Sequence, residues 1–343
     1  MGTKRTLPVL LSAIVVASSG ACERNQGGAT DAAKLVVYCS VDEGFARRVL
    51  TRFSERTGTR VETIFDSEAG KTTGLVNRMV AEAESGRPRA DVFWSGEVFN
   101  TILLARQGLL EAYDSPSAAD IPEDYRDGER RWAGTAVRAR VLAFDPKVVS
   151  KDEVPTHWEP LAESRFAEQT AIANPMFGTT RGHVAAMFAL WGTDRGRAFL
   201  TKWHEGGIQV LDSNSATVRS VAAGRARWAL TDSDDVWVAR RSGASLDMVY
   251  PDMGDGGTLL IPCSVAIVRG CQRIGTARKL VDFLVSAEVE RMLAESDSRN
   301  LPVRAALRES LGLAMPPASG VSFDAVADAM EEAEKAVREI LLR

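Results

Sequence analysis

The sequence predicts an α/β protein of two lobes, each a mainly parallel sheet flanked by helices, with a cleft between the lobes. Its 343 residues suffice for one large or two medium domains. Apolar strand patterns alternate with amphipathic helix patterns in two separate runs, which is typical of parallel α/β sheets. Two extended segments, 135–144 and 259–268, separate these runs from other parts of the chain, and we expect them to cross between the lobes.

The first run of alternating elements begins at residue 35. The apolar run 35–38 predicts a buried strand, and the helical spacing of apolar residues over 42–56 predicts an amphipathic helix that ends at Gly58. Further elements of this run are strands over 61–65 and 90–94 and helices over 72–85 and 98–107.

The second run lies between the two crossing segments. It is predicted to contain strands over 170–173, 208–211 and 227–230 and helices over 180–191 and 216–223. Three helices, over 276–286, 287–295 and 323–342, finish the chain, and the acids Glu332 and Glu334 are predicted to be solvated surface of the last one. The first lobe is therefore predicted to comprise residues 35–135 and 262–343, and the second lobe residues 136–261.

The N-terminus has the pattern of a secretory signal peptide over residues 1–21. Basic residues precede the mostly apolar run 7–17, and small residues then lead to Cys22. The ending Ser19-Gly20-Ala21-Cys22 resembles a bacterial lipobox, which predicts a lipid on Cys22, although a leucine is usual where Ser19 stands. An ordinary signal peptide that happens to contain a cysteine is the alternative. Residues 22–34 are polar and rich in Gly and Ala, which predicts a flexible tether to an exported, periplasm-facing body.

Charge and cysteine content narrow the classes of partner. The formal net charge is −4, and −6 without Lys4 and Arg5 of the leader, which disfavours a nucleic-acid partner. Beyond Cys22, the chain has Cys39, Cys263 and Cys271, an odd number, so at least one is free or paired externally. Buried free thiols and a single disulfide both fit this pattern.

Polar residues follow five of the predicted strands. Ligands of open α/β sheets bind beyond the carboxyl ends of strands, near helix N-termini. Any one of these loops could instead cap a helix, but five in two lobes favour a binding cleft. The candidate ligand-binding residues are Ser40, Asp42, Glu97, Gly178, Thr179, Thr180, Arg181, Asn214, Asp232, Asp234 and Asp235.

The candidate residues have two opposite chemical characters. The Gly178–Arg181 turn suits an anion, because a helix start, two hydroxyls and a guanidinium come together there. The carboxylates of Asp232, Asp234 and Asp235 suit a cation or hydroxyl donors. A zwitterion, a polyol or a metal with an accompanying anion would use both. No nucleophile elbow or Ser/His/Asp order is present, so we predict a binding protein, with an exported enzyme as a minor alternative.

Five stretches together resemble the periplasmic solute-binding proteins of ABC importers, within the ferric-iron-binding branch. The resemblance runs from about residue 35 to 302 and implies a type II binding-protein fold, closure of two lobes on a ligand and delivery to a membrane permease. The stretches are LVVYCS at 35–40, ADVFWSGEVFNTILLARQGLL at 90–110, IANPMFGTTRGHVAAMFALW at 172–191, ALTDSDD at 229–235 and TLLIPCSVAIVRG at 258–270.

The same resemblance implies where a ferric ion would sit. Iron-binding members of this branch hold Fe³⁺ with two adjacent tyrosines, which fall at Asp234 and Asp235, with a histidine near Asp42 and a carboxylate near Glu97. A synergistic anion falls at the helix start at 178–181 and at Asn214. The chain lacks an adjacent tyrosine pair. The branch also contains members that take phosphorylated or amine-bearing organic molecules.

These observations predict a lipid-anchored substrate-binding protein of an ABC importer. It would capture ferric iron or a related oxygen-loving metal with an anion, using Asp42, Glu97, Asp234 and Asp235 as metal ligands, and no resident cofactor is predicted. The alternatives are a small polar organic ligand in the same transport role, or a ligand-sensing partner of a membrane receptor. The expected partners are the ligand and the permease, and the expected state is a monomer.

Overall fold

The structure is a computed structural model that describes residue 2 and residues 34–66 and 73–343. Cys22 and nearly all of the predicted signal peptide and tether lie outside the described residues. No helix in the described part of the chain has the length and apolar character needed to cross a bilayer.

One mixed sheet organises the described chain. Its strands run in the order β2-β1-β3-β10-β5-β8-β6-β7, while β4 and β9 pair with β10 and β5 respectively. The strands are β1 Leu35–Cys39, β2 Val61–Phe65, β3 Val92–Ser95, β4 Leu110–Glu111, β5 Ala133–Phe144, β6 Thr170–Ala173, β7 Gln209–Leu211, β8 Trp228–Asp232, β9 Asp247–Val249 and β10 Leu260–Val268.

The two predicted crossing segments are the long strands β5 and β10. The N-terminal part of β5 pairs antiparallel with β10, and its C-terminal part pairs antiparallel with β8. Parallel pairs flank this centre, with β2-β1-β3 on one side and β8-β6-β7 on the other. We call these the β1 half and the β8 half of the sheet. The predicted lobe boundaries at 135/136 and 261/262 stay a prediction.

Helices cover both faces of the sheet. Gly192, with φ of 80°, separates α5 from α6, a helix that the sequence reading missed. The helices are α1 Glu43–Thr57, α2 Thr73–Glu84, α3 Phe99–Arg106, α4 Ser164–Ala167, α5 Gly178–Trp191, α6 Thr193–Glu205, α7 Asn214–Ala222, α8 Ser233–Arg241, α9 Ile274–Leu284, α10 Ala287–Ala294, α11 Ala305–Ser310 and α12 Phe323–Ala336, which a π-helical turn continues over Val337–Leu341.

The core forms two apolar layers, one on each face of the sheet. Successive strand residues alternate between the layers, so that Tyr38 packs in one and Val37 in the other. Helices α3, α5 and α12 cover the Tyr38 face. Gly182 of α5 lies directly on the Phe99 ring, since a Cβ atom at this position would be 2.2 Å from that ring. A glycine is therefore required for the close approach of α3 and α5.

The last helix, α12, contacts elements of both halves. Arg106 of α3 pairs with Asp324 at 2.8 Å and with Asp328 at 2.7 Å. On the other side, Glu334 forms an ion pair with Arg181 of α5. The prediction that Glu334 is solvated surface is wrong, because its side chain is only 19 % exposed and lies against α5.

Candidate functional site

A cavity of about 60 Å³ lies where strand ends and helix starts of both halves meet. The β1 half contributes the loops after β1 and β3, and the β8 half contributes the loops after β6, β7 and β8. Most of the predicted ligand-binding residues line this cavity, whereas Arg181 and Asp234 do not. The lining consists of Ser40, Asp42, Gly96, Glu97, Arg138, Ala173, Asn174, Phe177, Gly178, Thr179, Thr180, Asp212, Ser213, Asn214, Asp232 and Asp235.

The wall from the β8 half is built around Arg140, a fully buried residue of β5 that sequence reasoning missed. Its guanidinium donates to Asp232 at 2.6 Å, to Thr179 at 3.1 Å and to Thr180 at 3.2 Å. The other oxygen of Asp232 accepts from the Thr179 hydroxyl at 2.5 Å and from the Asn214 amide at 2.8 Å. Four predicted ligand residues are thus hydrogen-bonded to one another and to one arginine.

This network fixes the starts of α5 and α7 against the end of β8. A buried ion pair with its remaining lone pairs satisfied is a structural unit, and breaking it would leave an uncompensated buried charge. The Asp232 carboxylate and the Thr179 hydroxyl consequently have a structural role in this network. The sequence signal for this arrangement is Arg140, one of two arginines in the mostly apolar run of β5.

The start of α5 reaches the cavity without a side-chain cap. Phe177 occupies the N-cap position, where its side chain makes no hydrogen bond to the helix. The first backbone N–H groups of a helix have no intrahelical partner and carry the positive end of its dipole. Phe177, Gly178, Thr179 and Thr180 all line the cavity. This part of the wall can therefore accept an anionic group.

Glu97 contributes the opposite chemistry from the β1 half. Its Oε2 atom accepts from the backbone N–H groups of Phe99 at 2.6 Å and Asn100 at 3.2 Å, which caps α3. Its Oε1 atom is buried and has no hydrogen-bond partner within the protein, and the residue is only 2 % exposed. Burial raises the pKa of the Glu97 carboxyl, against the opposing charge of Arg181.

Arg138 is the guanidinium that lines the cavity. Its Nη1 atom lies 3.3 Å from Asp234 Oδ2, and its Nη2 atom donates to the Cys263 sulfur at 3.2 Å. Although burial alone would lower it, the charge of Asp234 keeps the pKa of Arg138 well above its usual value. The same ion pair opposes burial, which raises the pKa of Asp234. Sequence reasoning did not select Arg138.

The three acids at the start of α8 lie close together. Carboxylate oxygens of Asp232, Asp234 and Asp235 are all within 4.8 Å of one another. Asp232 is bound by the Arg140 network, and Asp234 pairs with Arg138 and accepts from the Asn300 amide at 3.3 Å. Only Asp232 and Asp235 of the three line the cavity.

Arg181 faces away from the cavity. Its side chain pairs with Glu334 of α12 and donates to Asn100 of α3 at 2.7 Å. It therefore joins the first turns of α3 and α5, and it is not positioned to contact a ligand in this conformation.

Neither a tyrosine nor a disulfide takes part in the site. The chain's four tyrosines are all within the described residues, and none lines the cavity. Tyr38, for example, donates to Glu82 of α2 at 2.5 Å. The sequence left both free thiols and a single disulfide open. In the structure, Cys39, Cys263 and Cys271 are free thiols.

Comparison with known proteins finds relatives of this chain in both sequence and fold. A probable ABC transporter periplasmic-binding protein, y4fP, of Sinorhizobium fredii is 28 % identical over 264 residues, which is 70 % of each chain. Iron-bound HitA of Pseudomonas aeruginosa superposes with a TM-score of 0.78 at 20 % identity, over 90 % of this chain and 99 % of HitA. AfuA of Actinobacillus pleuropneumoniae, with exogenous fructose-6-phosphate bound, gives 0.77 at 22 % identity, over 90 % and 99 %.

These likenesses confirm the predicted fold class, the two-lobed type II binding-protein fold. They also confirm the resemblance to the ferric-iron-binding branch and a role in transport, not catalysis. The family model described as bacterial extracellular solute-binding protein matches residues 88–322. The chain therefore belongs to the bacterial extracellular solute-binding protein family and is a binding protein of the ABC importer type.

Proposed function

We propose that this protein captures a small organic solute that carries an oxyanion together with an amine or hydroxyl groups. The solute is delivered to an ABC permease. One observation carries this choice over a ferric ion: in the acid cluster at α8, both Asp232 and Asp234 already bind a guanidinium. A metal bound there would have to displace Arg140 or Arg138, and either displacement would leave a buried charge unpaired.

The two poles of the cavity match the two ends of such a solute. The uncapped start of α5 suits the oxyanion, since helix N-termini bind phosphate and carboxylate groups. The buried, unpartnered Oε1 atom of Glu97 suits an ammonium or hydroxyl donor. Solved relatives of this fold carry either iron or a sugar phosphate, so the fold accommodates both classes of cargo.

The cavity volume favours a compact ligand. A water needs ~10–15 Å³ on this measure, so about 60 Å³ holds roughly five heavy atoms, the size of one phosphoryl or phosphonate group. A larger solute would require the halves to separate further. Contacts with both halves would stabilise the closed form, because a ligand shifts the equilibrium by its differential affinity for the two forms.

A metal held with an anion is the second candidate. It is favoured by the carboxylates of Asp42, Glu97 and Asp235, which reach one small cavity from both halves. Hard cations prefer oxygen ligands, and these three acids would supply them without disturbing Arg140. No tyrosine is available there to provide the phenolates expected for ferric iron.

We further propose that the mature protein is monomeric and faces the periplasm, tethered by a lipid on Cys22. The basic and apolar leader that ends in Ser-Gly-Ala-Cys supports the export and the lipid anchor. Metabolic labelling with a lipid precursor should mark the wild-type protein and leave a Cys22→Ser variant unlabelled. Equal labelling of both would refute the anchor.

A thermal-shift screen tests the ligand class. Purified protein is heated with phosphoethanolamine, inorganic phosphate, fructose-6-phosphate, Fe³⁺ with citrate, and citrate alone as the matched control. A ligand that binds only the folded form raises the melting temperature by mass action. We expect the largest shift from a phosphorylated compound. A shift with Fe³⁺ and citrate, absent with citrate alone and with all phosphorylated compounds, would overturn the proposal in favour of the metal.

A further inference from the structure

Arg138 is the cation that the described part of the chain places in the cavity. Of the described residues that line the cavity, it is the one with a positively charged side chain, and that side chain is only 12 % exposed. It projects from β5, a strand at the centre of the sheet that pairs with both β10 and β8. Its guanidinium is thus held on a rigid element next to the ligand space.

The hydrogen-bonding capacity of Arg138 is largely unused. One of its two contacts is a 3.3 Å ion pair with Asp234, whose carboxylate also accepts a hydrogen bond from the Asn300 amide. The other is to the sulfur of Cys263, and sulfur is a weak acceptor. Burial raises the pKa of Cys263, so the thiol stays neutral. The Nε atom of Arg138 is buried without a partner. Buried donors without acceptors are uncommon in folded proteins.

Arg140, two positions along β5, shows what a structural arginine looks like here. Its Nε atom also lacks a partner, but its terminal nitrogens donate to Asp232 and to two threonine hydroxyls, the shortest contact being 2.6 Å. It does not line the cavity. Arg140 therefore has three oxygen partners at 2.6–3.2 Å, whereas Arg138 has one carboxylate at 3.3 Å and a sulfur.

A second feature of the same cavity also attracts negative charge. The start of α5 is uncapped and lines the cavity together with Arg138. A guanidinium and a set of free backbone N–H groups are complementary to the oxygens of a phosphoryl or phosphonate group, and an arginine can donate to two of those oxygens at once.

We propose that Arg138 is the specificity-determining residue of the site, binding the oxyanion of the solute together with the start of α5. This inference rests on the proposed function, because it assumes an anionic organic ligand. It assigns the anion to a residue on the central strand. The sequence pattern, in contrast, predicted that Arg181 and the threonines of α5 would bind it.

The test measures the affinity of phosphoethanolamine and of inorganic phosphate by titration calorimetry. Replacing Arg138 alone would strand the Asp234 charge, so the main variant is the double change Arg138→Met with Asp234→Asn, which removes both charges. Arg138→Lys keeps a charge but loses the planar fork. Arg241→Met is the matched control, since Arg241 is an exposed arginine that pairs only with Asp297.

We expect the double variant to bind both probes roughly thirty-fold more weakly or worse, because truncating a buried charged partner of a ligand has a cost of that size. The lysine variant should lose roughly tenfold, and Arg241→Met should bind like the wild type. A double variant within about threefold of the wild type would overturn the role of Arg138 and leave the proposed function standing.

Two other outcomes also decide the question. If neither probe binds the wild-type protein, the proposed function fails and the role of Arg138 fails with it. If the double variant does not unfold cooperatively, Arg138→Lys carries the test, and an affinity within about threefold of the wild type overturns the inference.

Discussion

The two walls of the cavity differ in how completely their polar groups are satisfied. In the β8 half, Arg140 and Asp232 are bonded to each other and to hydroxyl and amide groups at the starts of α5 and α7. On the β1 side, the buried Oε1 atom of Glu97 has no partner within the protein, and Arg138, on the central strand β5, has only a 3.3 Å ion pair with Asp234 and a contact to the sulfur of Cys263. Polar groups that bond mainly to one another form a structural wall, whereas a cavity-lining group with few or no partners within the protein is available to a ligand. Polar character at a helix start does not by itself distinguish the two.

The largest expected effect is a loss of stability when the network around Arg140 is broken. Arg140→Met should lower the free energy of unfolding by about 3–5 kcal/mol, because it leaves the buried Asp232 carboxylate without its cation. Urea denaturation at neutral pH measures this loss. Arg241→Met provides the control for removing an exposed arginine and should change stability by no more than about 1 kcal/mol. A small effect at Arg140 would mean that the network is not the structural unit described above.

Arg181 tests whether a residue next to the cavity can be purely structural. Arg181→Met removes its pair with Glu334 and its hydrogen bond to Asn100. We expect a loss of about 1–2 kcal/mol in the free energy of unfolding, since the lost contacts are charged but partly solvated. The affinity for phosphoethanolamine, corrected for the folded fraction, should stay within about threefold of the wild type. A much larger loss of affinity would return Arg181 to the binding site.

The smallest effect concerns the ionisation of Glu97. Its pKa is raised above the ordinary value of 4.5, so over an interval above that value the folded protein retains a proton that the unfolded chain releases. Stability from this group therefore falls as pH rises through the interval. Glu97→Gln keeps an oxygen to cap α3 but cannot titrate.

Urea unfolding of wild type and Glu97→Gln from pH 4 to 8 measures the difference between them. The stability of the wild type relative to the variant should fall with rising pH and then level off. A relative stability that rises with pH would show that Glu97 is stabilised as a carboxylate in the folded protein, and the contrast between the two walls would weaken.

The periodicity of apolar residues predicted the fold well, because the pattern of most helices and strands lies within their own segment of the sequence. The crossing segments 135–144 and 259–268 correspond to β5 and β10, since their apolar runs are buried on both faces of the sheet. The end of α5 at Trp191 was predicted, but α6, which begins directly after Gly192 with its φ of 80°, was not. The position of α12 against α5 also escaped prediction, because it depends on ion pairs between residues far apart in the chain.

The site was predicted less completely, and the reason is physical. Loops at strand ends identified the cavity, and most of the selected residues line it. Whether a polar group binds a ligand depends on whether the protein already satisfies it, which is a property of tertiary contacts. Thr179 and Asp232 could be chosen from the sequence, but their engagement with Arg140 could not. Arg138 was missed because it lies within a strand.

The most direct test of the account is a crystal structure of the protein soaked with phosphoethanolamine. We predict that phosphoryl oxygens lie within hydrogen-bond distance of the Arg138 guanidinium and of the first backbone N–H groups of α5, with the ammonium group near Glu97 Oε1, while the bond between Arg140 and Asp232 is kept. A phosphoryl group bound away from Arg138, or a metal ion coordinated by Asp42, Glu97 and Asp235 in protein purified without added ligand, would contradict it.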